Sequence, residues 1–342
     1  MKIHLLDKLK ERIVFISWTP FGRHTELLGK ALDAEIFFID KFIKGKLWKL
    51  IFPIDYLLKS LKTFIILWKT KPDIVFVQNP PSIAAIVIVL LSKTFKFKSV
   101  IDSHNGAFEK PWLSVPFHIW ALKNADIVTI HNKVLFDHLS GVKKFTGINF
   151  KILNSRLSAF PLQLKDPSTE KYFLIISSYS DDEPMEVLLD GIARFSEKEI
   201  DIKFKVTGKY ERKIELYNKY CQINNLEFLG FVDNKTYDHL LVNAYGIIAL
   251  STRDDVQQFA LMEAIGAQVP FISNNNKTNI DLFDEKMILI ENSPLELVRG
   301  ITDFIANKDE LKNNIIDIKL RQTAKWDREF NDLLEHIHSL IK

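Results

Sequence analysis

Two carboxylates, Asp255 and Glu263, lie eight residues apart in the segment Leu250 to Ile272, LSTRDDVQQFALMEAIGAQVPFI. The segment reads as a strand end near Ser251, a polar loop, and a helix predicted to start around Val256 or Gln257 and to run to about Gly266. One carboxylate then stands at the mouth of the helix and the other just over two turns further in. Each can accept hydrogen bonds from the hydroxyls of a sugar or a ribose. The backbone N–H groups at the helix start, near Gln258, Phe259 and Ala260, form an anion site suited to a phosphate. Arg253 in the same loop, and Lys209 beyond the run Ile202 to Thr207 and Gly208, are cations that can neutralise a diphosphate. Taken alone, Lys209 also reads as a solvated surface lysine, and the segment as an ordinary capped helix.

A second set of candidates lies in the first half. The stretch Val77 to Phe108, VQNPPSIAAIVIVLLSKTFKFKSVIDSHNGAF, closes one predicted strand with QNPPS and the next with IDSHNG. His104, at a strand C-terminus, can orient a hydroxyl or take a proton, and Asp102 can fix its tautomer or be the base itself. A lone histidine is more often structural. Gly22 to His24 follow the first predicted strand, where a loop can pass close to a phosphate with Arg23 as its partner.

These residues have to be positioned by something, and the pattern says by what. Short apolar runs alternate with longer segments of helical period, which is how parallel βαβ units read. In the first half strands are expected at Arg12 to Ser17, Glu35 to Ile39, Ile74 to Gln78, Ser99 to Asp102, Ile127 to Ile130 and Lys151 to Leu153. In the second they are expected at Tyr172 to Ser177, Ile202 to Thr207, Glu227 to Leu229, Gly246 to Ser251, Phe271 to Ser273 and Met287 to Leu289. The stretch Asn154 to Glu170, with Pro161 and Pro167 and little periodicity, reads as a linker. The expected fold class is α/β, with two Rossmann-like doubly wound parallel sheets facing a cleft. The expected domains are 1–160, a linker at 161–170, a second domain at 171–324, and a terminal helix at 325–342. That helix carries Phe330, Leu333, Leu334, Ile337 and Leu340 on one face and is expected to pack back on the first domain. Ligands of open parallel sheets bind beyond the carboxyl ends of the strands, where the candidates above are placed.

Composition bounds the classes. The chain has 342 residues, enough for two cores, with 47% apolar and 26% charged residues, the balance of a folded protein. Its formal charge of +3 is too small to argue for nucleic acid. A single cysteine, Cys221, excludes an internal disulfide and a cysteine-built zinc site. The N-terminus MKIHLLDKLKERIVFISW has charges every few residues and shows no export signal. The apolar run Ile83 to Leu91 is short of the roughly 20 residues of a span and reads as a helix packed on a sheet. A cytoplasmic location is expected.

The Asp255 and Glu263 pattern resembles the GT-B glycosyltransferases of the family-4 (group 1) type, whose hallmark is a Glu, seven intervening residues and a second Glu. The resemblance implies that Asp255 contacts the transferred sugar, that Glu263 holds the nucleotide ribose, and that N–H groups around Phe259 and Ala260 meet the sugar and diphosphate. The run Leu226 to Val232, LEFLGFV, followed by Tyr237 and Leu240 to Ala244, is similar to the family's strand that presents backbone to the base, which implicates Phe231 and Val232. The family's Arg and Lys after the first strand of this domain are replaced here by Ser177, Ser178, Tyr179, Ser180, Asp181 and Asp182, so Ser178 stands at that place. The NPP and D-x-H-N elements, with SSYSDDE, resemble the chitobiosyl-diphosphodolichol β-mannosyltransferases and their bacterial relatives, which implicates Asn79 beside Gly22 and Arg23 on the acceptor side. Family-4 resemblance implies retention at the anomeric carbon and β-mannosyltransferase resemblance implies inversion.

Between Lys41 and Lys71 stand eight lysines, the aromatics Phe42, Trp48, Phe52, Tyr56, Phe64 and Trp68, and one acid, Asp55. A basic amphipathic surface of this kind suits an anionic bilayer or a polyprenyl diphosphate, hence a lipid-linked glycan acceptor and a peripheral place on the inner face of the cytoplasmic membrane. A solvated lysine face over two buried helix stripes is the alternative. The reaction expected is hexosyl transfer from a nucleoside diphosphate sugar to a glycan hydroxyl. No cofactor and no metal are expected: the sequence has no evident Cys, His and carboxylate cluster, Asp181-Asp182 and Asp254-Asp255 read as loop residues, and enzymes it resembles need no bound metal. A nucleotide-sugar epimerase of the same double fold, and a non-catalytic nucleotide-binding subunit, are the alternatives. The first would release free nucleoside diphosphate without an acceptor; the second would lack activity as an isolated chain.

Overall fold

The structure is a computed structural model that describes residues 11–43, 48–161, 164–166, 170–198, 200–284 and 286–341, with backbone alone for 48–50. The opening residues read for an export signal, Lys44, Lys46, the side chains of Trp48 and Lys49, and Pro167 of the expected linker lie outside what is described. The chain divides into two units, Met1–Arg156 with Lys325–Lys342, and Leu157–Ala324.

The first unit is built on six parallel strands: β1 (Ile13–Ser17), β2 (Glu35–Phe38), β3 (Ile74–Asn79), β4 (Lys98–Ser103), β5 (Ile127–Ile130) and β6 (Phe150–Ile152), in the order β2-β1-β3-β4-β5-β6. Runs such as IVFIS and IVTI are buried along their whole length because helices cover both faces of a parallel sheet. Those helices are α1 (Arg23–Ala31), α2 (Trp48–Thr70), α3 (Ser82–Phe95), α4 (His118–Asn124) and α5 (Lys133–Ser140). Strand order reverses between β1 and β3, the place at which open parallel sheets bind ligands.

The second unit repeats the plan with β7 (Tyr172–Ile176), β8 (Lys203–Thr207), β9 (Leu226–Gly230), β10 (Gly246–Ala249), β11 (Phe271–Asn274) and β12 (Ile288–Ile290), in the order β12-β11-β10-β7-β8-β9. Its helices are α6 (Met185–Ser196), α7 (Ile214–Tyr220), α8 (Asn234–Asn243), α9 (Phe259–Ala267), α10 (Lys277–Phe283) and α11 (Pro294–Ala306). The last helix, α12 (Lys308–Ile341), begins in the second unit and ends in the first. There Trp326, Phe330, Leu333, Leu334 and Ile337 share a core with Phe15, Leu28 and Phe76, with Leu340 packed at its edge.

Two local readings change. Helix α9 starts at Phe259, two residues after the later of the expected starts, because Gln258 keeps an extended backbone (ψ 123°) as its cap. In α2 the exposed face carries Lys62 and Lys69 but is more apolar than a solvated lysine face. Its inward side carries Asp55 and Lys59, a buried pair at 3.4 Å. Asp55 also accepts hydrogen bonds from the amides of Phe42 and Ile43. The outward side exposes Ile54, Leu57, Leu58, Leu61, Phe64, Ile65 and Trp68.

Candidate functional site

In the second unit the chemistry gathers at the carboxyl ends of β7, β8, β9 and β10. Glu263 is the one charged residue of α9, FALMEAIGA, and it is 5% exposed. Burying a carboxylate among apolar side chains is costly unless it is hydrogen-bonded. The hydroxyl of Tyr237, on α8, donates to its Oε2. Tyr237 was grouped with a base-presenting strand from the sequence; it stands on a helix, and its role is to hold this carboxylate. The first turn of α9 places the N–H groups of Phe259 and Ala260 outside the helix's own ladder.

The loop from β10 to α9 is fixed by its own polar groups. The Ser251 amide donates to Asn274 Oδ1 at 2.9 Å, and the Thr252 amide to the Asp182 carbonyl at 2.8 Å. Asn276 donates to the Arg253 carbonyl at 2.8 Å, and Thr278 to the Asp254 carbonyl at 2.7 Å. Arg253 pairs with Asp255 at 3.0 Å, so the two residues singled out as cation and carboxylate act on each other. Gln258 Oε1 lies 3.3 Å from the Ser273 hydroxyl, and Gln257 Nε2 lies 3.0 Å from Met262 Sδ.

Lys209 sits 5.3 Å above the ring of Phe231, which is 77% exposed, and Val232 beside it is half-buried. Gly208 just before it has φ +106°, and a Cβ there would stand 2.0 Å from the Ser177 carbonyl oxygen. Only glycine lets β8 deliver Lys209 to this edge. Ser178 is turned elsewhere: its hydroxyl donates to Glu183 at 2.7 Å and its amide at 3.0 Å. The Ser177 hydroxyl and the Tyr179 amide also donate to Glu183, at 2.6 and 2.9 Å. The loop after β7 is thus a nest of donors closed on a carboxylate of its own chain.

In the first unit Asp102 is fully buried at the end of β4. His24 Nε2 lies 3.2 Å from its Oδ2, His104 Nε2 3.7 Å from the same oxygen, and His131 Nε2 3.9 Å from Oδ1. The Thr129 hydroxyl donates to Oδ1 at 2.8 Å. Burial raises the Asp102 carboxyl, but the facing His24, then His131 and His104, outweigh it and hold the group below the usual carboxylate range. Burial, with the neighbouring imidazoles, pushes His131 down to about 4 and His104 well below its ordinary value.

His104 is therefore not a lone histidine. Asn79, expected on the acceptor side, is fully buried, and its amide donates to Ser103 and lies 3.1 Å from His118 Nε2, so it braces the strand ends. Gly22 caps α1 and Arg23 is its first residue, which presents His24 to the cluster one position later. Sequence reasoning missed His131 and the roles of His24, Glu183 and Tyr237. The available signal was positional: His24 follows β1 and His131 follows β5, as His104 follows β4.

Residues 160–321 match the family model described as glycosyl transferases group 1. The chain is 26% identical over 322 residues to the chitobiosyldiphosphodolichol beta-mannosyltransferase of Candida albicans, covering 79% of this chain and 69% of that protein. It is 24% identical over 258 residues to protein CapJ of Staphylococcus aureus, covering 70% of this chain and 64% of CapJ, and so spans just under two thirds of that relative's length. Among solved structures, sucrose-phosphate synthase from Thermosynechococcus elongatus aligns with a TM-score of 0.72 at 13% identity, over 96% of this chain and 100% of the other. HepE of Anabaena, in complex with UDP and glucose, aligns with a TM-score of 0.67 at 14% identity, over 95% of this chain and 99% of the other. The fold they share with this chain is GT-B.

Proposed function

We propose that this chain, whose second unit carries the group 1 glycosyltransferase domain, moves a hexosyl residue from a nucleoside diphosphate sugar to a hydroxyl of a glycan held on a membrane lipid. The observation that carries the donor half is the buried Glu263, oriented by Tyr237 in an otherwise apolar helix whose N-terminus lies at the carboxyl edge of the sheet. A carboxylate so placed is kept for a ligand's hydroxyls, and the ribose of the nucleotide supplies them. The N–H groups of Phe259 and Ala260, with Lys209 and Arg253, face the charge that grows on the departing diphosphate. Asp255 meets the sugar. With those groups in place the diphosphate calls for no metal ion.

On the acceptor side the hydroxyl oxygen bonds to the anomeric carbon as the bond from that carbon to the diphosphate oxygen breaks. The acceptor's proton passes to the Asp102 and His104 pair, and the electron pair leaves with the nucleoside diphosphate. The outward apolar stripe of α2, bordered by exposed Lys62, Lys69 and Lys71, supports a peripheral contact with an anionic bilayer. Among the described residues no helix is long and apolar enough to cross a membrane.

The test is a thermal-shift screen of uridine, guanosine, adenosine and thymidine diphosphates and their hexose conjugates, followed by transfer of labelled hexose to extracted polyprenyl-linked glycans. One nucleotide should raise the melting temperature and its sugar should label the lipid fraction. No stabilisation by any nucleotide would overturn the donor reading. Release of free nucleoside diphosphate without a glycosylated product would point to an epimerase.

A further inference from the structure

We propose that His24, Asp102, His104 and His131 bind one divalent transition-metal ion, zinc by preference, at the carboxyl edge of the first sheet. The four side chains come from α1, the end of β4, the turn after β4 and the turn after β5. Each offers one ligand atom, and these atoms all lie within 4.8 Å of one another. In a tetrahedral zinc site with bonds near 2.1 Å the ligand atoms stand roughly 3.4 Å apart. Nε2 of His24 and Nε2 of His104 lie 3.2 and 3.7 Å from Asp102 Oδ2, which bracket that spacing, and Nε2 of His131 lies 3.9 Å from Oδ1.

The donor set selects the ion. Three imidazole nitrogens and one carboxylate oxygen suit zinc and its first-row neighbours, whereas magnesium and calcium require oxygen ligands. Two of the three imidazole nitrogens already turn a lone pair inward, while His24 Nε2 donates to Asp102 Oδ2 at 3.2 Å and would release that proton on binding the ion. His131 Nδ1 donates to the Leu153 carbonyl at 3.2 Å, which fixes the proton on that nitrogen and leaves Nε2 bare toward Asp102. Nε2 of His131 and Nε2 of His104 are both buried and make no hydrogen bond. His131 as a whole is 4% exposed. Electron-rich nitrogens facing a buried carboxylate repel it and remain unsatisfied unless a cation lies between them.

An outer layer completes the site. The Thr129 hydroxyl on Asp102 Oδ1 and the Leu153 carbonyl on His131 orient two of the ligands, as outer partners do in zinc proteins. The His104 side chain keeps 32% exposure against 8%, 5% and 0% for His24, His131 and Asp102, so it is the side from which an ion reaches the others. An ion bound here would fasten α1 to the ends of β4 and β5. An ion held here occupies the lone pairs of Asp102 and His104 that the proposed transfer reaction uses for proton uptake, so the ion-loaded and proton-accepting states exclude each other, and the test reads metal binding without turnover.

Protein stripped with a chelator and dialysed is titrated calorimetrically with zinc sulfate at pH 7.5, and separately with cobalt chloride while visible absorption is followed. The wild type should bind one equivalent tightly and give the intense visible bands of tetrahedral cobalt. His131→Ala and His24→Ala should each weaken zinc binding by about 100-fold, and Thr129→Val, which removes an outer partner, by about 10-fold. His138→Ala and His239→Ala, at exposed histidines, should leave it unchanged. If the buried variants do not fold, His104→Gln, at the most exposed ligand, gives the same reading. Zinc affinity in the wild type no greater than in His104→Gln, or a cobalt spectrum of octahedral type, would overturn the proposal.

Discussion

The hydroxyl of Tyr237 on α8 donates a hydrogen bond to Oε2 of Glu263 on α9, joining two helices 26 residues apart in sequence across the edge of the second sheet. On the proposed function that bond also orients the carboxylate toward the nucleotide. Tyr237→Phe should therefore weaken binding of the preferred nucleoside diphosphate by about 5- to 10-fold, in line with the roughly 1 to 1.5 kcal/mol of such a bond. Glu263→Ala should weaken it by about 100-fold. Calorimetric affinities decide this, and equal affinity in both variants and the wild type would remove the pair from the nucleotide site.

Asp255 and Arg253 hold each other at 3.0 Å in the loop before α9. Asp255→Ala frees the guanidinium and removes a hydroxyl acceptor, so turnover at saturating donor should fall by about 10- to 100-fold, a barrier change of roughly 1.4 to 2.8 kcal/mol. Nucleotide affinity should change little. A variant with wild-type turnover would take Asp255 out of the reaction.

The outward stripe of α2 gives a prediction opposite in sign to that for a core. Leu57, Leu61 and Trp68 are 60%, 52% and 59% exposed, so replacing all three by Ser should leave the melting temperature within about 2 °C of the wild type. The same change should abolish sedimentation with vesicles containing anionic lipid. Retained sedimentation would show that the membrane is not what covers this face.

His118 is fully buried and lies 3.1 Å from the Asn79 amide. Burial pushes its imidazole down to about 4, against about 6.5 in an unfolded chain. Between those values the unfolded chain takes a proton that the native protein refuses, so stability is full above pH 6.5 and is lost as pH falls toward 4. His118→Gln does not titrate and keeps an acceptor for Asn79. The wild type should lose on the order of 3 kcal/mol more than this variant across that window, by urea melts at each pH. Parallel curves would show that His118 is accommodated in both forms.

Strands such as IVFIS and IVTI were readable because a strand covered on both faces is apolar along its length and is flanked by segments of helical period. The Asp255 and Glu263 spacing was readable for a similar reason: a loop and a helix start are local, and local rules fix them. Where Tyr237 pointed was not, because α8 and α9 meet only after β10 has been laid into the sheet. The face of α2 could not be settled from composition either. The i, i+4 pair Asp55 and Lys59 is buried, while Leu57, Leu58 and Leu61 are exposed.

By itself the sequence determined the alternation that makes two parallel sheets and the carboxylates at the mouth of α9, since both depend on residues a few positions apart. Only the tertiary structure decided the cluster around Asp102. His24, Asp102, His104 and His131 belong to elements far apart in the chain, and a strand order of β1-β3-β4-β5 sets their carboxyl ends side by side. No spacing rule encodes that order. It is chosen by which apolar faces bury each other, so three histidines that look unrelated along the chain converge on one buried carboxylate.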